Sequence, residues 1–238
     1  MKIPKLKWVI AGMLCMATMI NYADRLTLSV VSVDVRRDFG MDERDYSHIL
    51  VAFMVAYAIM YAGSGYIVDR LGTRRGFAVF ISSWSLAQML HAFSVGNWSL
   101  AEARFLLGLT EPGNWPAAAK AVAEWFPPQQ RALGIGIFNS GSSMGSALAP
   151  PMVAWLTLLF GWRASFLFTG GLGLLWLTGW LLLYQPPHRN RWLKAKEYAE
   201  MKGQVRPPEE TVPVKKGQLD WLAVIRMRGC WTLILTRF

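Results

Sequence analysis

Apolar positions gather in six long stretches, roughly 8–33, 47–68, 76–95, 99–126, 131–159 and 164–184, each set off by a few polar residues. A helix rises about 1.5 Å per residue, so about 20 apolar residues cross about 30 Å of hydrocarbon. The pattern therefore predicts an all-α membrane protein with six transmembrane helices. The connections are short: 34–46 carries mixed charge, 96–98 is nearly uncharged, 127–130 holds a Pro-Pro turn and 161–163 is a tight corner. After Tyr184 the texture changes. Gln185-Pro186-Pro187-His188 closes the sixth stretch, and 189–220 is polar, charged and proline-bearing. The expected organisation is a six-helix domain over 1–188 and a cytoplasmic linker over 189–220, with a short helix at 191–203. Residues 221–238 turn apolar but are interrupted by Arg226, Arg228 and Arg237, and read as the incomplete start of a seventh helix.

Charge sets the orientation. With the N-terminus inside, one side of the membrane holds Lys2, Lys5, Lys7, Arg70, Arg74, Arg75, Arg131 and the basic cluster over 189–216. The other holds Arg36, Arg37, Arg44 and Arg163. Lys and Arg accumulate on the cytoplasmic side, which predicts both ends inside and a cell inner-membrane location. The net charge of +10 is explained by these loops, not by a basic face for nucleic acid, and 53% hydrophobic residues with 12 Trp exceed the usage of a soluble domain. The lysines before the first apolar run imitate a signal peptide, but the run is too long and leads into Asn21, Tyr22, Asp24 and Arg25 without a cleavage signal, so a retained helix is expected. Cys15 and Cys230 lie far apart in or beside apolar segments and predict apolar filling, with no disulfide frame and no metal site.

The chemistry lies where charge enters the apolar stretches. The first carries Asn21, Tyr22, Asp24 and Arg25, and the fourth carries Arg104 and Glu111. An ionised group at the bilayer centre costs about 2.5–3.5 kcal/mol on insertion scales, so each needs a partner, water or neutralisation. By helical rise, Asp24, Tyr57 and Glu111 all fall about 14–18 Å below the outer helix ends, one level near the midplane. Arg104 and Glu111, seven apart, share a face but stand too far apart for an ideal direct pair, so other partners are implied. Asp24 and Arg25 are about 100° apart and need not face each other. Arg25 offers a planar, permanently charged fork for a substrate carboxylate, and Asp24 and Glu111 are suited to carrying protons. The competing reading is an ion-pair network that only holds helices 1 and 4 together.

The strongest punctuation is Gly65-Tyr66-Ile67-Val68-Asp69-Arg70-Leu71-Gly72-Thr73-Arg74-Arg75-Gly76 between the second and third stretches. It reads as a short cytoplasmic hairpin in which Gly72 turns the chain, Gly65 and Gly76 admit close helix approach, and Asp69 caps or pairs. A solvated positive-inside loop explains the arginines but not their order. That order resembles the loop between helices 2 and 3 of the major facilitator superfamily. Asn21-Tyr22-Ala23-Asp24-Arg25, and Arg104-Phe105-Leu106-Leu107-Gly108 leading to Glu111-Pro112-Gly113, are similar to its anion:cation symporter branch. Glu124-Trp125-Phe126-Pro127 followed by Arg131, and Gly136-Ile137-Phe138-Asn139, resemble bacterial hexuronate and sugar-acid transporters. The resemblance implies an N-terminal six-helix bundle of a two-bundle carrier that moves an organic anion with protons and needs no other cofactor. It further implies substrate contacts at Tyr22, Arg25 and Tyr57, and proton coupling at Asp24 and Glu111 with Arg104 modulating Glu111. Gating is expected at Gly65, Asp69, Arg70, Gly72, Arg74 and Arg75. One departure touches sugar selectivity: Ser142-Ser143 stands where some sugar-acid carriers have a glutamine on helix 5.

Other motifs lose force in context. Gly141-Ser142-Ser143-Met144-Gly145 fits a serine-hydrolase elbow, but that turn needs a strand, a helix and a partner histidine, and His48, His91 and His188 are scattered. No enzyme is expected. Gly134, Gly141, Gly145 and Ala149 read as helix packing, and Pro150-Pro151 as a bend or break. His48 reads as packed or interfacial, Lys120 as snorkelling to headgroups, and Trp8, Trp98, Trp125 and Trp162 as interfacial indoles. Asn97-Trp98-Ser99 is a glycosylation pattern in a loop too short to use. Two hypotheses follow. One is a proton-coupled organic-anion symporter of which this chain is the N-terminal half, its partners being the anion, the lipid bilayer and a chain supplying helices 7–12. The other is a truncated or split non-transporting membrane module that acts by association with another chain.

Overall fold

The computed structural model describes residues 5–193 and Tyr198, so the predicted linker beyond 193 and the apolar stretch 221–238 lie outside the described residues. Among the described residues there is no strand. The helices are α1 (Leu6–Val30), α2 (Ser32–Phe39), α3 (Glu43–Leu71), α4 (Thr73–Leu90), α5 (Asn97–Thr110), α6 (Asn114–Trp125), α7 (Arg131–Phe160) and α8 (Trp162–Leu183). The all-α bundle agrees with the sequence reading.

Among the described residues, five helical segments are long and apolar enough to cross a membrane: Leu6–Val30, Glu43–Leu71, Thr73–Phe93, Pro128–Phe160 and Trp162–Leu183. The predicted fourth span, 99–126, is not one helix. Glu111–Gly113 forms a 3-10 turn between α5 and α6, with the Asn114 amide bonding back to Glu111 and Pro112 carbonyls. Pro112 has no amide hydrogen, so the helical ladder cannot pass through it unbroken. The Pro150-Pro151 pair, expected to bend or break its helix, lies inside an α7 that runs on to Phe160. Both prolines sit on its exposed side.

The helices also run further than the apolar stretches. Helix α3 continues through Asp69 and Arg70 to Leu71 and α4 starts at Thr73, so the expected loop is one residue, Gly72, at φ 77° and ψ 157°. Gly161 at φ 81° and ψ 164° joins α7 to α8 in the same way. This backbone region is essentially closed to residues with a Cβ. At the other end of α3, Asp42 and Asp45 form a capping box: the Asp42 carboxylate accepts from the Asp45 amide at 2.7 Å. The expected mixed-charge loop before it is mostly α2, which buries Val35.

Packing is set by small residues. Helix α1 lies along α7, α3 along α5 and α4 along α8. A Cβ at Gly141 or Gly145 would strike the backbone carbonyls of Cys15 and Met19, so those two glycines bring α1 and α7 into backbone contact. Gly65 has no such duty, since its nearest neighbour would be Pro116 Cβ at 3.9 Å, an ordinary contact. One core gathers Leu14, Phe77, Trp84, Val122, Trp125, Trp180 and Tyr184, and a second gathers Leu28, Val35, Ile49, Leu100, Trp162 and Phe166. Trp125 and Trp162, read from sequence as interfacial indoles, are therefore core residues, whereas Trp8 and Trp98 are exposed.

Candidate functional site

The turn at Glu111–Gly113 places the Glu111 carboxylate inside the bundle, with no exposed surface. Opposite it on α1, Arg25 donates from Nε at 3.0 Å and from Nη2 at 2.8 Å to Glu111 Oε2. This is the partner that Glu111 needed. The pair is lopsided: the Arg25 side chain is 25% exposed and that of Glu111 is sealed. Helix α3 adds aromatic faces. The guanidinium carbon stands 4.6 Å from the Tyr57 ring centre, 5.6 Å from that of Phe53 and, on α1 itself, 5.3 Å from that of Tyr22. Such faces attract a cation by about 0.5–2 kcal/mol each. The Tyr57 hydroxyl accepts from Trp115 Nε1 at 3.0 Å, and Tyr22 meets the edge of Trp115. Tyr22, Arg25, Tyr57 and Glu111 thus converge from α1, α3 and the α5–α6 junction.

Arg104 joins this cluster indirectly. It is buried, donates from Nη2 to the Arg25 carbonyl at 3.0 Å, and lies over the Phe53 ring at 4.5 Å. It makes no direct ion pair with Glu111, as their spacing implied.

Asp24 is elsewhere. It takes no part in the Arg25–Glu111 contact; Thr169 of α8 lies near its side chain, and Gln88 of α4 bonds its backbone carbonyl. It is fully buried, and neither carboxylate oxygen has a hydrogen-bond partner among the described residues. Gln88 Nε2 donates to the Asp24 carbonyl at 3.2 Å and to Thr169 Oγ1 at 2.9 Å. Sequence reading missed Gln88, Thr169 and Asn114, whose Nδ2 donates to Thr18 Oγ1 at 3.2 Å. The signal was present as polar residues inside apolar stretches. His91 was passed over as one of three scattered histidines. It is buried, stacks on Phe166 and directs Nδ1 to the Ala87 carbonyl at 2.9 Å.

The Gly65–Gly76 stretch forms a separate cluster at one end of the helices. Asp69 Oδ1 pairs with Lys120 Nζ at 2.6 Å, so Lys120 has a partner on α3 and does not merely snorkel. Thr73 Oγ1 and the Tyr184 hydroxyl each donate at 2.5 Å to a different oxygen of Glu124, which ties α4, α6 and the end of α8 together. Burial, and then the Glu124 carboxylate, raise the Tyr184 hydroxyl well above its ordinary pKa, so it remains a donor. Arg74 Nη2 donates to the Leu181 carbonyl, and Trp180 Nε1 to the Arg74 carbonyl. Arg70 and Arg75 are exposed. Among the described residues no group of His, Cys, Asp and Glu is placed to hold a metal ion.

Comparison with known proteins bears on this arrangement. The family described as Major Facilitator Superfamily matches residues 14–238. The hexuronate transporter of Escherichia coli K12 is 31% identical over 238 residues, covering 100% of this chain and 54% of its own length. The galacturonate transporter of Dickeya chrysanthemi is 32% identical, over 100% of this chain and 68% of its own length. The chain thus spans about half to two thirds of these relatives. Among solved structures, a bacterial homologue of the human lysosomal transporter Spinster, in an inward-facing and unoccupied conformation, superposes with a TM-score of 0.71 at 20% identity. That match covers 98% of this chain and 52% of the other.

Proposed function

The chain belongs to the Major Facilitator Superfamily, and from that premise we propose that its bundle is the N-terminal wall of a carrier that moves a sugar-acid anion by proton symport. The observation that carries this reading is the Arg25–Glu111 pair, sealed at the acid and open at the base. An ionised Glu111 holds the Arg25 fork. A proton arriving at Glu111 Oε1, the oxygen without a partner, removes that hold and frees Nε and Nη2 for a substrate carboxylate. When the proton leaves, Glu111 reclaims Arg25 and the anion is displaced. Tyr22 and Tyr57 meet the sugar hydroxyls, Asp24 is a second proton carrier, and Arg104 sets the field around Glu111. The named activities of the hexuronate and galacturonate transporters support the substrate class. The lysine and arginine distribution supports an inner-membrane topology with the N-terminus in the cytoplasm. At that cytoplasmic end, the Asp69–Lys120 pair and the Gly72 hairpin with Arg70, Arg74 and Arg75 form the gate.

The test is uptake of labelled galacturonate into vesicles with an imposed pH gradient. The 238-residue chain is reconstituted alone and together with the complementary bundle of a hexuronate transporter. One bundle offers half of a shared site, so saturable uptake is expected from the pair and not from the chain alone. It should collapse with a protonophore and vanish in Arg25→Gln. Uptake indifferent to the protonophore overturns symport, and saturable uptake in Arg25→Gln overturns the docking role.

A further inference from the structure

At the end of the bundle that carries the Gly72 hairpin lies a groove of about 470 Å³, distinct from the Arg25–Glu111 cluster. Arg74 and Arg75 from α4, Arg189 from beyond α8, Gln185 and Leu71 contribute to its walls, and among the described residues no acid does. Two carboxylates at this end of the bundle are engaged: Glu124 accepts from Thr73 and Tyr184, and Asp69 from Lys120. Arg75 and Arg189 are exposed, and Arg74 Nε is buried without a partner among the described residues. The first turn of α4 opens on the same groove through Thr73, Arg74 and Arg75, with no side-chain cap on its amides. Arg74, Arg75, Arg189 and the positive end of a helix thus border one groove.

The surroundings of the groove are apolar. On α8, Phe168, Leu175 and Leu182 are exposed at seven-residue intervals, and so are Val79 and Leu86 on α4 and Phe93 in the 3-10 turn that follows it. Seven residues are nearly two turns, so each set forms one ladder along its helix. The two helices pack side by side, and both ladders run away from the basic groove. A charged head site at the end of two apolar tracks matches an amphiphile with an anionic head and long chains.

We propose that this groove binds the phosphate of an anionic phospholipid, with Arg74, Arg75 and Arg189 around the headgroup and the acyl chains along α4 and α8. Basic pockets at helix ends hold such headgroups, and each arginine near the surface contributes roughly a fivefold gain in affinity. The site depends on membrane insertion of the bundle but not on which anion it carries.

The test is native mass spectrometry of the purified 238-residue chain in nonionic detergent, titrated with phosphatidylglycerol or phosphatidylcholine of matched chains. Arg75→Gln/Arg189→Gln leaves the Arg74–Leu181 contact intact, and Arg44→Gln at the opposite end of α3 is the charge control. Phosphatidylglycerol is expected to bind more tightly than phosphatidylcholine at low salt. The double variant should weaken phosphatidylglycerol by about twenty-five-fold while the control does not. Addition of salt to the unaltered chain should erase the preference, a readout that needs no variant to fold. Equal binding of the two lipids, an equal loss in Arg44→Gln, or full displacement by millimolar inorganic phosphate would each overturn the proposal.

Discussion

Replacing Glu111 by glutamine separates the two roles that one carboxylate combines. Arg25 makes two hydrogen bonds to Glu111 Oε2. Bonds to a charged group are worth about 1.5–3 kcal/mol each, and those between a charged donor and a neutral amide less. The amide oxygen can keep one of them. The hold on Arg25 should therefore weaken by about 2 kcal/mol, or roughly thirtyfold in favour of a competing carboxylate. Stability should suffer less than in a sealed pair, where stranding one charge costs about 3–5 kcal/mol. The Arg25 side chain is 25% exposed and keeps its contact with the Tyr57 ring, so water and the π-face compensate in part. The assay is equilibrium binding of labelled galacturonate across pH. Unaltered protein should bind more tightly as pH falls, because a proton on Glu111 does what the amide does. The variant should bind up to thirtyfold more tightly near neutrality, with a flat pH profile, while uphill accumulation disappears and exchange persists. Weaker binding in Glu111→Gln, or an unchanged pH profile, would refute the competition between substrate and acid for Arg25.

The remaining predictions concern the helix ends. Gly72→Ala forces a Cβ into φ 77° and ψ 157°, and should lower stability by about 1–3 kcal/mol in a thermal or denaturant melt; an unchanged melt would mean the hairpin relaxes freely. Asp69→Asn breaks the pair with Lys120, which is partly exposed, so stability should change by no more than about 1 kcal/mol while turnover falls sharply. Normal turnover in that variant would remove the gating role. Asp38 accepts from Trp162 Nε1 at 2.7 Å and from Arg163 at 3.3 Å, and these donors lower its pKa. A depressed carboxylate stabilises above its unfolded value of about 4 and loses that contribution as pH falls through the folded value. Amide exchange in α2 should accelerate only under those acid conditions, and Asp38→Asn should abolish the pH dependence.

Hydropathy located every membrane-length element but could not locate its ends. Apolar stretches stop where lipid stops, whereas helices stop where the backbone changes, so α3 runs through Asp69 and Arg70 to Gly72. The break in the fourth stretch was written as Glu111-Pro112-Gly113, yet a long apolar run outweighed it. In the fifth, Pro150-Pro151 does not break the helix: α7 carries both prolines on its open side and packs α1 through Gly141 and Gly145. For the site, the cost of burying charge predicted that Glu111 needs a partner, and the 100° step left Asp24 and Arg25 free to meet different neighbours. That the partner is Arg25, 86 residues away, depends on how α1 crosses the α5–α6 junction. No spacing along the chain encodes that crossing.

The same 100° step makes the two acids separable by experiment. Glu111 holds the Arg25 fork, whereas the buried Asp24 carboxylate has no hydrogen-bond partner among the described residues. Asp24→Asn replaces a buried carboxylate by an amide, which brings donors of its own and leaves fewer acceptors to satisfy. Relief of a buried unpaired polar group is worth about 1–3 kcal/mol, so this variant should melt at a higher temperature than the unaltered chain. Its substrate affinity should move far less than that of Glu111→Gln, because no atom of Asp24 touches the Arg25 fork. If Asp24 carries a coupled proton, uphill galacturonate accumulation is nevertheless lost. A lower melting temperature would mean that the carboxylate anchors α1 against α4 and α8, as the ion-pair reading requires. Stabilisation together with intact accumulation would leave Glu111 as the acid through which the gradient acts.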